Sequence, residues 1–334
     1  MVNIAVVGCG YWGPNFIRNF NALEKSRVLA VCDLDKNKIG SIKAKYPHIP
    51  GTSNYDEVLS NKEIDAVVIA TPPETHYQLV KKALLNNKHV LVEKPFCMKT
   101  AEAEELISIS EKNNKVLMVD HTFQYSPAIN KLKEVIDSGD IGKIQYIYSQ
   151  RLNLGLFNPK GVLWDLAPHD IAIILYLLNE FPEKINATAY THIKNNVHDL
   201  AFINLHFKDV DAHLHLSWLD PCKTRKIVVV GSKKMIVYND TDLVERIKIY
   251  DRSVLHKESY DSFGEYFLTY NYGDIHIPII SNEEPLKLAC LHFLDCIEKN
   301  KKPLSDGKNG RDVVKIIESA EESIRQNGAD IKLP

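Results

Sequence analysis

The 334-residue sequence has no excess of either charge. Lysine and arginine number 41 against 43 aspartates and glutamates, for a formal net charge of −2. Nucleic-acid binders usually carry a strong basic surplus, so that class is set aside. Cysteine is sparse: six residues, at 9, 32, 97, 222, 290 and 296, with no CxxC pair. Neither a zinc ribbon nor a disulfide framework follows, and the expectation is a cytoplasmic protein with reduced thiols. Long apolar runs are missing too. Stretches such as 65–70 and 171–178 fall short of the ~18 residues a membrane span needs, so no membrane partner is expected. The opening residues carry no basic n-region and no small-residue cleavage site. No repeat, low-complexity tract or long linker appears. What is present is ordinary for globular protein, 45% hydrophobic and 25% charged. At about 150 residues per domain, the length suits two.

The first third alternates short solid apolar runs (3–7, 28–32, 66–70, 90–92, 116–119) with stretches of helical spacing (12–22, 36–45, 76–86, 100–113). Solid strands between amphipathic helices predict a parallel sheet covered on both faces, an α/β, doubly wound Rossmann domain over residues 1–121. After residue 122 the runs at 144–154, 187–193, 200–207, 212–219, 226–230 and 235–238 mostly alternate, as in an antiparallel sheet. Three helices, 126–138, 166–179 and 284–300, are expected to pack on it, and a last helix covers 312–326. Residues 122–334 therefore read as an α+β domain. Residues 252–281 show no clean period and read as an irregular excursion.

Gly8-Cys9-Gly10-Tyr11-Trp12-Gly13 matches GxGxxG, follows the first strand and opens the first helix. Gly8 permits the tight turn, Gly10 lets a pyrophosphate approach the backbone, and Gly13 allows close helix–strand packing. The helix N-terminus offers amide donors to phosphate. Asp33 ends the second strand, where an acid should hydrogen-bond the adenine ribose and repel a 2′-phosphate. That favours NAD over NADP. Tyr11 and Trp12 lie between the glycines and are taken as cofactor contacts. Thr71-Pro72-Pro73 ends the third strand at the carboxyl edge where such sheets bind ligands. His76 begins the next helix, either as a capping or surface histidine or as a cofactor contact.

Glu93-Lys94-Pro95 follows the strand at 90–92, again at the carboxyl edge. Glu93 is taken as a cofactor contact. Lys94 is either a surface lysine or a proton-transfer group whose affinity is lowered by desolvation and a cationic nicotinamide. A second constellation is Trp164-Asp165-Leu166-Ala167-Pro168-His169-Asp170. Asp165 suits a helix cap, with Pro168 in the first turn. Asp165 and His169 are four apart and share a face of that helix, where an acid orients a histidine and raises its proton affinity. Removing a hydroxyl proton as hydride leaves needs such a base. A capped helix start with a structural histidine fits the same spacing. Arg151 and Asn153 have strand spacing and face one way, either toward a diphosphate or sugar, or toward solvent.

Taken together, the glycine motif, Glu93-Lys94-Pro95 and Asp165-x-x-x-His169 resemble the glucose–fructose oxidoreductase/inositol dehydrogenase (Gfo/Idh/MocA) family. Glu284-Pro285-Leu286, His292-Phe293 and the run 303–307 resemble the family's closing segment, so the likeness covers nearly the whole chain. The resemblance implies a second domain with a large open sheet whose outer face joins copies into a homo-dimer or tetramer. It implies a cis Lys94–Pro95 bond, and Lys94 and His169 as acid/base residues with Asp165 binding or orienting. Trp12-Gly13-Pro14-Asn15 and the 164–170 run resemble the branch acting on nucleotide sugars, including UDP-N-acetylglucosamine 3-dehydrogenases, with an aminotransferase as pathway partner. In the stretch Thr122-Phe123-Gln124-Tyr125, Gln124 stands where many relatives carry a charged residue, which speaks against a uronic acid. Lys94, Gln124, Tyr125, Arg151, Asn153, Asp165 and His169 are the expected substrate contacts. The expected function is thus NAD-dependent oxidation of a nucleotide sugar's secondary hydroxyl, C3 of UDP-N-acetylglucosamine first. A free-sugar or inositol dehydrogenase and a non-catalytic NAD-binding sensor are the alternatives.

His213-x-His215 with His206 nearby lacks a cysteine or carboxylate at a metal-ligand spacing, and no metal is expected. The polar face of an amphipathic strand at an interface is preferred.

Overall fold

The computed structural model describes residues 1–155, 157–254 and 270–334. The chain divides into two units, Met1–Tyr125 with Glu283–Lys315, and Ser126–Asn282 with Ile316–Pro334. The expected boundary at 121/122 lies close to the first crossing, but a continuous second domain was wrong: the chain returns to the first unit.

In the first unit, β1 (Val2–Val7), β2 (Ser26–Cys32), β3 (Gly51–Thr52), β4 (Ala66–Ile69), β5 (His89–Glu93) and β6 (Leu117–Asp120) form one sheet, ordered β3-β2-β1-β4-β5-β6. Every pairing is parallel. All four residues of β4 are buried, which is why the run has no polar alternation. The crossovers are α1 (Gly13–Ala22), α2 (Lys36–Lys45), α3 (Tyr55–Ser60), α4 (Pro73–Leu85) and α5 (Thr100–Lys112). The reversal of strand order between β1 and β4 opens a crevice at their carboxyl ends. A 3₁₀ turn, Thr122–Tyr125, follows β6.

The sequence reading assigned the helix at 284–300 to the second domain's sheet, and this is corrected. Counting the second unit's α6 (Pro127–Asp137) and α7 (Gly161–Leu178), it is α8 (Pro285–Lys299). It buries Leu286, Ala289, Cys290, Phe293 and Leu294. That stripe joins Phe16, Ile17 and Phe20 of α1 in one core, with Phe20 and Phe293 edge to face at 6.4 Å. Burying a phenylalanine stabilises by about 1.5–3 kcal/mol. At the rim Arg18 donates to both oxygens of Glu284, and Lys25 bridges Asp295 and Glu298. Further on, Val119 donates its amide to the Ser305 carbonyl at 2.8 Å, and the Ser305 hydroxyl donates to the Val119 carbonyl at 2.6 Å. The closing segment is thus tied to the edge of β6.

The second unit is built on a nine-stranded sheet. Its strands are β7 (Ile144–Leu154), β8 (Lys184–Tyr190), β9 (Leu200–His206), β10 (Asp211–Ser217), β11 (Leu219–Gly231), β12 (Met235–Asn239), β13 (Ile247–Val254), β14 (Tyr270–His276) and β15 (Ile331–Lys332). The order is β14-β13-β12-β11-β7-β10-β9-β8-β15. Only the β7–β10 pair is parallel; the others are antiparallel. Part of the supposed irregular excursion at 252–281 is therefore strand: β13 runs to Val254 and pairs with β14. Residues 255–269 of that stretch lie outside the described residues. The last helix, α9 (Gly307–Arg325), starts five residues before the expected 312.

Helix α7 lies against one face of this sheet. It begins at Gly161, so Asp165 is an interior residue and not a cap, and Pro168 sits inside the helix. Its 18 residues have the length and apolarity of a membrane span, which the sequence reading did not count, but 72% of that window is buried within the protein. From α7, Asp170 reaches β7: Arg151 donates from Nε to Oδ2 at 2.7 Å and from Nη2 to Oδ1 at 3.1 Å, and Ser149 donates to Oδ1 at 2.9 Å. Arg151 is 4% exposed and Asp170 1%. This corrects the expected diphosphate contact at Arg151, whose fork is spent on a carboxylate inside the core. A buried pair that loses one partner leaves a stranded charge, costing about 3–5 kcal/mol. Asp170→Ala is expected to lower unfolding stability by about that much in urea titration, while Arg151→Met with Asp170→Leu recovers most of it.

Candidate active site

The glycine loop closes β1 onto α1. Gly8 has a φ of +95°, and a Cβ there would lie 2.4 Å from the Ala70 carbonyl oxygen. A Cβ on Gly13 would come within 1.9 Å of the Gly8 carbonyl oxygen, whereas one on Gly10 meets nothing within 4 Å. The three glycines therefore do three jobs, and only Gly10 faces open space. Asp33 braces the loop: its Oδ2 accepts from the Cys9 amide at 2.6 Å and its Oδ1 from the Asp35 amide at 2.9 Å. Burial, then the Asp33 charge, pushes the Cys9 thiol up to about 12, so it stays protonated.

A cleft of about 670 Å³ opens over this loop. Gly8, Gly10, Tyr11, Trp12, Asp33, Thr71 and Pro72 line it, all expected from the sequence, and Lys38 and Tyr55 join them. The cleft suits a dinucleotide. Its floor is open backbone at a helix start, and a carboxylate stands where a ribose would lie.

His76 is not a cofactor contact. It is fully buried, with Nδ1 2.8 Å from the Pro95 carbonyl oxygen and Nε2 2.9 Å from that of Thr71. It ties the loop after β4 to the loop after β5, and burial lowers its proton affinity. The Lys94–Pro95 bond is cis, as the resemblance implied. Lys94 is half-buried at the end of β5, with its amide donating to Glu93 Oε2 at 3.1 Å.

Glu93 is turned inward, against expectation, beside its register partner Asp120 on β6. Both are buried. Burial first, and the facing Asp120 second, holds the Glu93 carboxyl well above the usual range, and burial raises Asp120 to about 6. His121 follows, equally buried, with neither ring nitrogen hydrogen-bonded, and burial and then Lys94 lower it to about 3. Asp120 and His121 escaped the sequence reading. The signal was there: an acid at the carboxyl end of a strand, the same signal that drew attention to Glu93.

Two expected substrate contacts belong to the scaffold. Tyr125 is buried with its hydroxyl 2.8 Å from Ser305 Oγ. Gln124 is buried and donates to Asn309 at 3.1 Å. Both hold the closing segment on the 3₁₀ turn.

In the second unit, Asp165 and His169 lie one turn apart on α7, half-buried. Trp218, between β10 and β11, donates its indole N–H to Asp165 Oδ2 at 3.2 Å and packs on Phe157 at 5.2 Å. Gly155 makes room for it, since a Cβ there would sit 2.4 Å from Trp218 Cδ1 and 3.2 Å from Asn153 Nδ2. Asn153, half-buried, borders the same glycine at the end of β7, and Trp218 is the partner of Asp165 that spacing could not reveal. The histidines set aside earlier lie on the sheet's other face. His213 bonds Asn204 at 2.6 Å, His206 bonds Asp211 at 2.6 Å, and Phe202 stacks on His215. Among the described residues no three metal-ligating side chains cluster.

Comparison with known proteins now identifies the class. A model described as an oxidoreductase family with an NAD-binding Rossmann fold matches residues 2–121, and the GFO/IDH/MocA C-terminal domain matches residues 129–237. The chain belongs to the GFO/IDH/MocA oxidoreductase family, and its cofactor is NAD. An uncharacterized oxidoreductase of Streptococcus pneumoniae is 26% identical over 227 residues, 63% of this chain and 60% of its own length. The inositol 2-dehydrogenase 2 of Saccharopolyspora erythraea is 30% identical over 200 residues, 57% of either chain. The chain thus spans little more than half the length of the curated relatives it matches. The structure of UDP-N-acetylglucosamine 3-dehydrogenase GnnA from Acidithiobacillus ferrooxidans shares the fold, with a TM-score of 0.82 over 97% of either chain at 22% identity.

Gly10→Val is expected to leave the unfolding midpoint near wild type and weaken NAD about tenfold or more, read by titration calorimetry. Gly13→Ala does the reverse, costing about 1–3 kcal/mol of stability through backbone overlap. His121 gives a pH signature. Its native affinity is depressed to about 3 against about 6.5 unfolded, so the stability it allows is complete above ~6.5 and drains as pH falls toward 3. His121→Leu should lose about 2 kcal/mol less than wild type between pH 7 and pH 5 in urea unfolding.

Proposed function

We propose that the protein is an NAD-dependent dehydrogenase that oxidises a secondary hydroxyl of a cyclic sugar, with C3 of a UDP-N-acetylglucosamine-type nucleotide sugar as the first reading. The observation that carries it is the pair of proton-transfer sets. Lys94 stands at the carboxyl end of β5, and Asp165 and His169 stand one turn apart on α7, the acid held by Trp218. NAD, when bound, accepts the hydride. The chain's part is to hold the hydroxyl proton on Lys94 or His169, to orient it through Asp165, and to keep the dinucleotide on the glycine loop. A sensor that binds NAD without turnover has no need of these groups. The nucleotide-sugar reading draws support from likeness to GnnA along the whole chain.

A second reading, a free-sugar or inositol dehydrogenase, is favoured by two observations. Arg151 is not available to a diphosphate, and a relative at 30% identity is an inositol 2-dehydrogenase. We further assign the protein to the cytoplasm, which its six free cysteines suit. We assign the open face of the nine-stranded sheet to pairing between copies of the chain. An aminotransferase acting on the keto product is the expected pathway partner under the first reading.

Reduced-nicotinamide absorbance with UDP-sugars, dTDP-sugars, free sugars and inositols separates the readings. A response confined to UDP-amino sugars supports the first, and a response to inositol or a free sugar transfers the assignment to the second. On the responding substrate, Lys94→Ala should cut kcat about a hundredfold or more while NAD affinity holds. Parallel loss of both would overturn its catalytic role.

A further inference from the structure

Two buried carboxyls stand side by side at the carboxyl ends of β5 and β6, next to Lys94 in the chain. Glu93 and Asp120 close adjacent parallel strands as register partners. Register partners point to the same face and stand about 5 Å apart at the backbone. Both are almost wholly inside the protein, at 5% and 1% exposure. The groups acting on them can be named. Lys94 acts on both from the end of β5. Tyr125 on the 3₁₀ turn and Cys290 on α8 feel the Asp120 charge as neutral, protonated groups. His121 is uncharged at neutral pH. Among the described residues, one cation thus acts on the two acids.

That count decides the protonation. Two carboxylates this close in a dry site repel strongly, and a single lysine offsets only one of them. Two buried acids in contact resolve the conflict by keeping one proton between them.

We propose that Glu93 and Asp120 hold one shared proton at neutral pH, and that the single negative charge left on the pair positions Lys94 for proton transfer. The pair does not touch the reacting atoms. Its two members are positioning residues, and they act through Lys94. Below about pH 6 the pair takes up a second proton, becomes neutral and releases its hold on Lys94. The positioning role rests on the dehydrogenase reading above; the shared proton does not.

Infrared spectroscopy of the NAD-loaded protein, carrying carboxyl-¹³C aspartate in one sample and glutamate in another, tests the proton directly. At pH 7 a protonated carboxylic C=O band is expected that moves with the label and with deuteration. It should vanish in Glu93→Gln/Asp120→Asn. Absence of a label-sensitive acid band in the wild type, or its survival in the double variant, overturns the shared proton. Because the wild type alone gives a reading, a variant that fails to fold does not remove the test.

The pH profile of kcat on the responding substrate tests the positioning role. Asp120→Asn leaves Glu93 alone and buried, without the shared proton that stabilises the single charge, so the acid limb should move up by about one pH unit or more. Asp120→Glu should restore it. The double variant should lose about tenfold or more in kcat with KM for NAD unchanged. A wild-type profile in Asp120→Asn overturns the role. Silence of every substrate in the panel counts against the dehydrogenase reading and leaves the infrared result standing, so the two failures are distinct.

Discussion

A parallel sheet covered on both faces has no wet side, and its polar groups have nowhere to go but the strand ends. The first unit is organised by that constraint. Its strands are solid with Val, Ile, Leu and Ala, and chemistry begins where each of them stops: Gly8 after β1, Asp33 after β2, Thr71 after β4, Glu93 and Lys94 at β5, Asp120 and His121 at β6. The same burial that holds the sheet together sets the proton affinities of the groups at its edge. Burial at the ends of β5 and β6 takes Glu93, Asp120 and His121 out of water and so perturbs all three. Fold and reactivity share one cause there, the loss of solvent.

The second unit obeys a different rule. Its sheet is mostly antiparallel, with one face under α7 and the other carrying Phe202, His213 and His215 in a polar and aromatic ladder. The covered face is not purely apolar. Ser149 and Arg151 of β7 both donate to Asp170 of α7. Such a set adds little net stability over an apolar filling, but it fixes the rotation of α7 on the sheet. Asp165 and His169 ride on that same helix, so a structural ion pair sets the direction in which they point.

The sheet of the first unit, its glycine loop and the helix carrying Asp165 and His169 were legible in the sequence because each depends on local pattern: solid apolar runs, glycine spacing, a four-residue interval. What could not be read depended on partners distant in sequence. Arg151 looked like a ligand because its strand spacing is visible and its acceptor 19 residues away is not. Tyr125 and Gln124 looked like substrate contacts, and their partners Ser305 and Asn309 come about 180 residues later. His76 looked like a capping or surface histidine or a cofactor contact, but its ring binds two carbonyls from separate loops. Helix 285–299 has a clear apolar stripe, but a stripe does not name the surface that covers it.

That stripe has a consequence for how the protein is made. Phe16 and Phe20 share their core with Phe293. A chain emerging from the ribosome displays the amino-terminal strands long before the residues that seal them. For most of its synthesis the nascent dinucleotide-binding half therefore carries an uncovered aromatic patch, a surface for chaperones to hold. Its core closes only when residues 285–299 have been translated, so a premature stop before them damages the part encoded first.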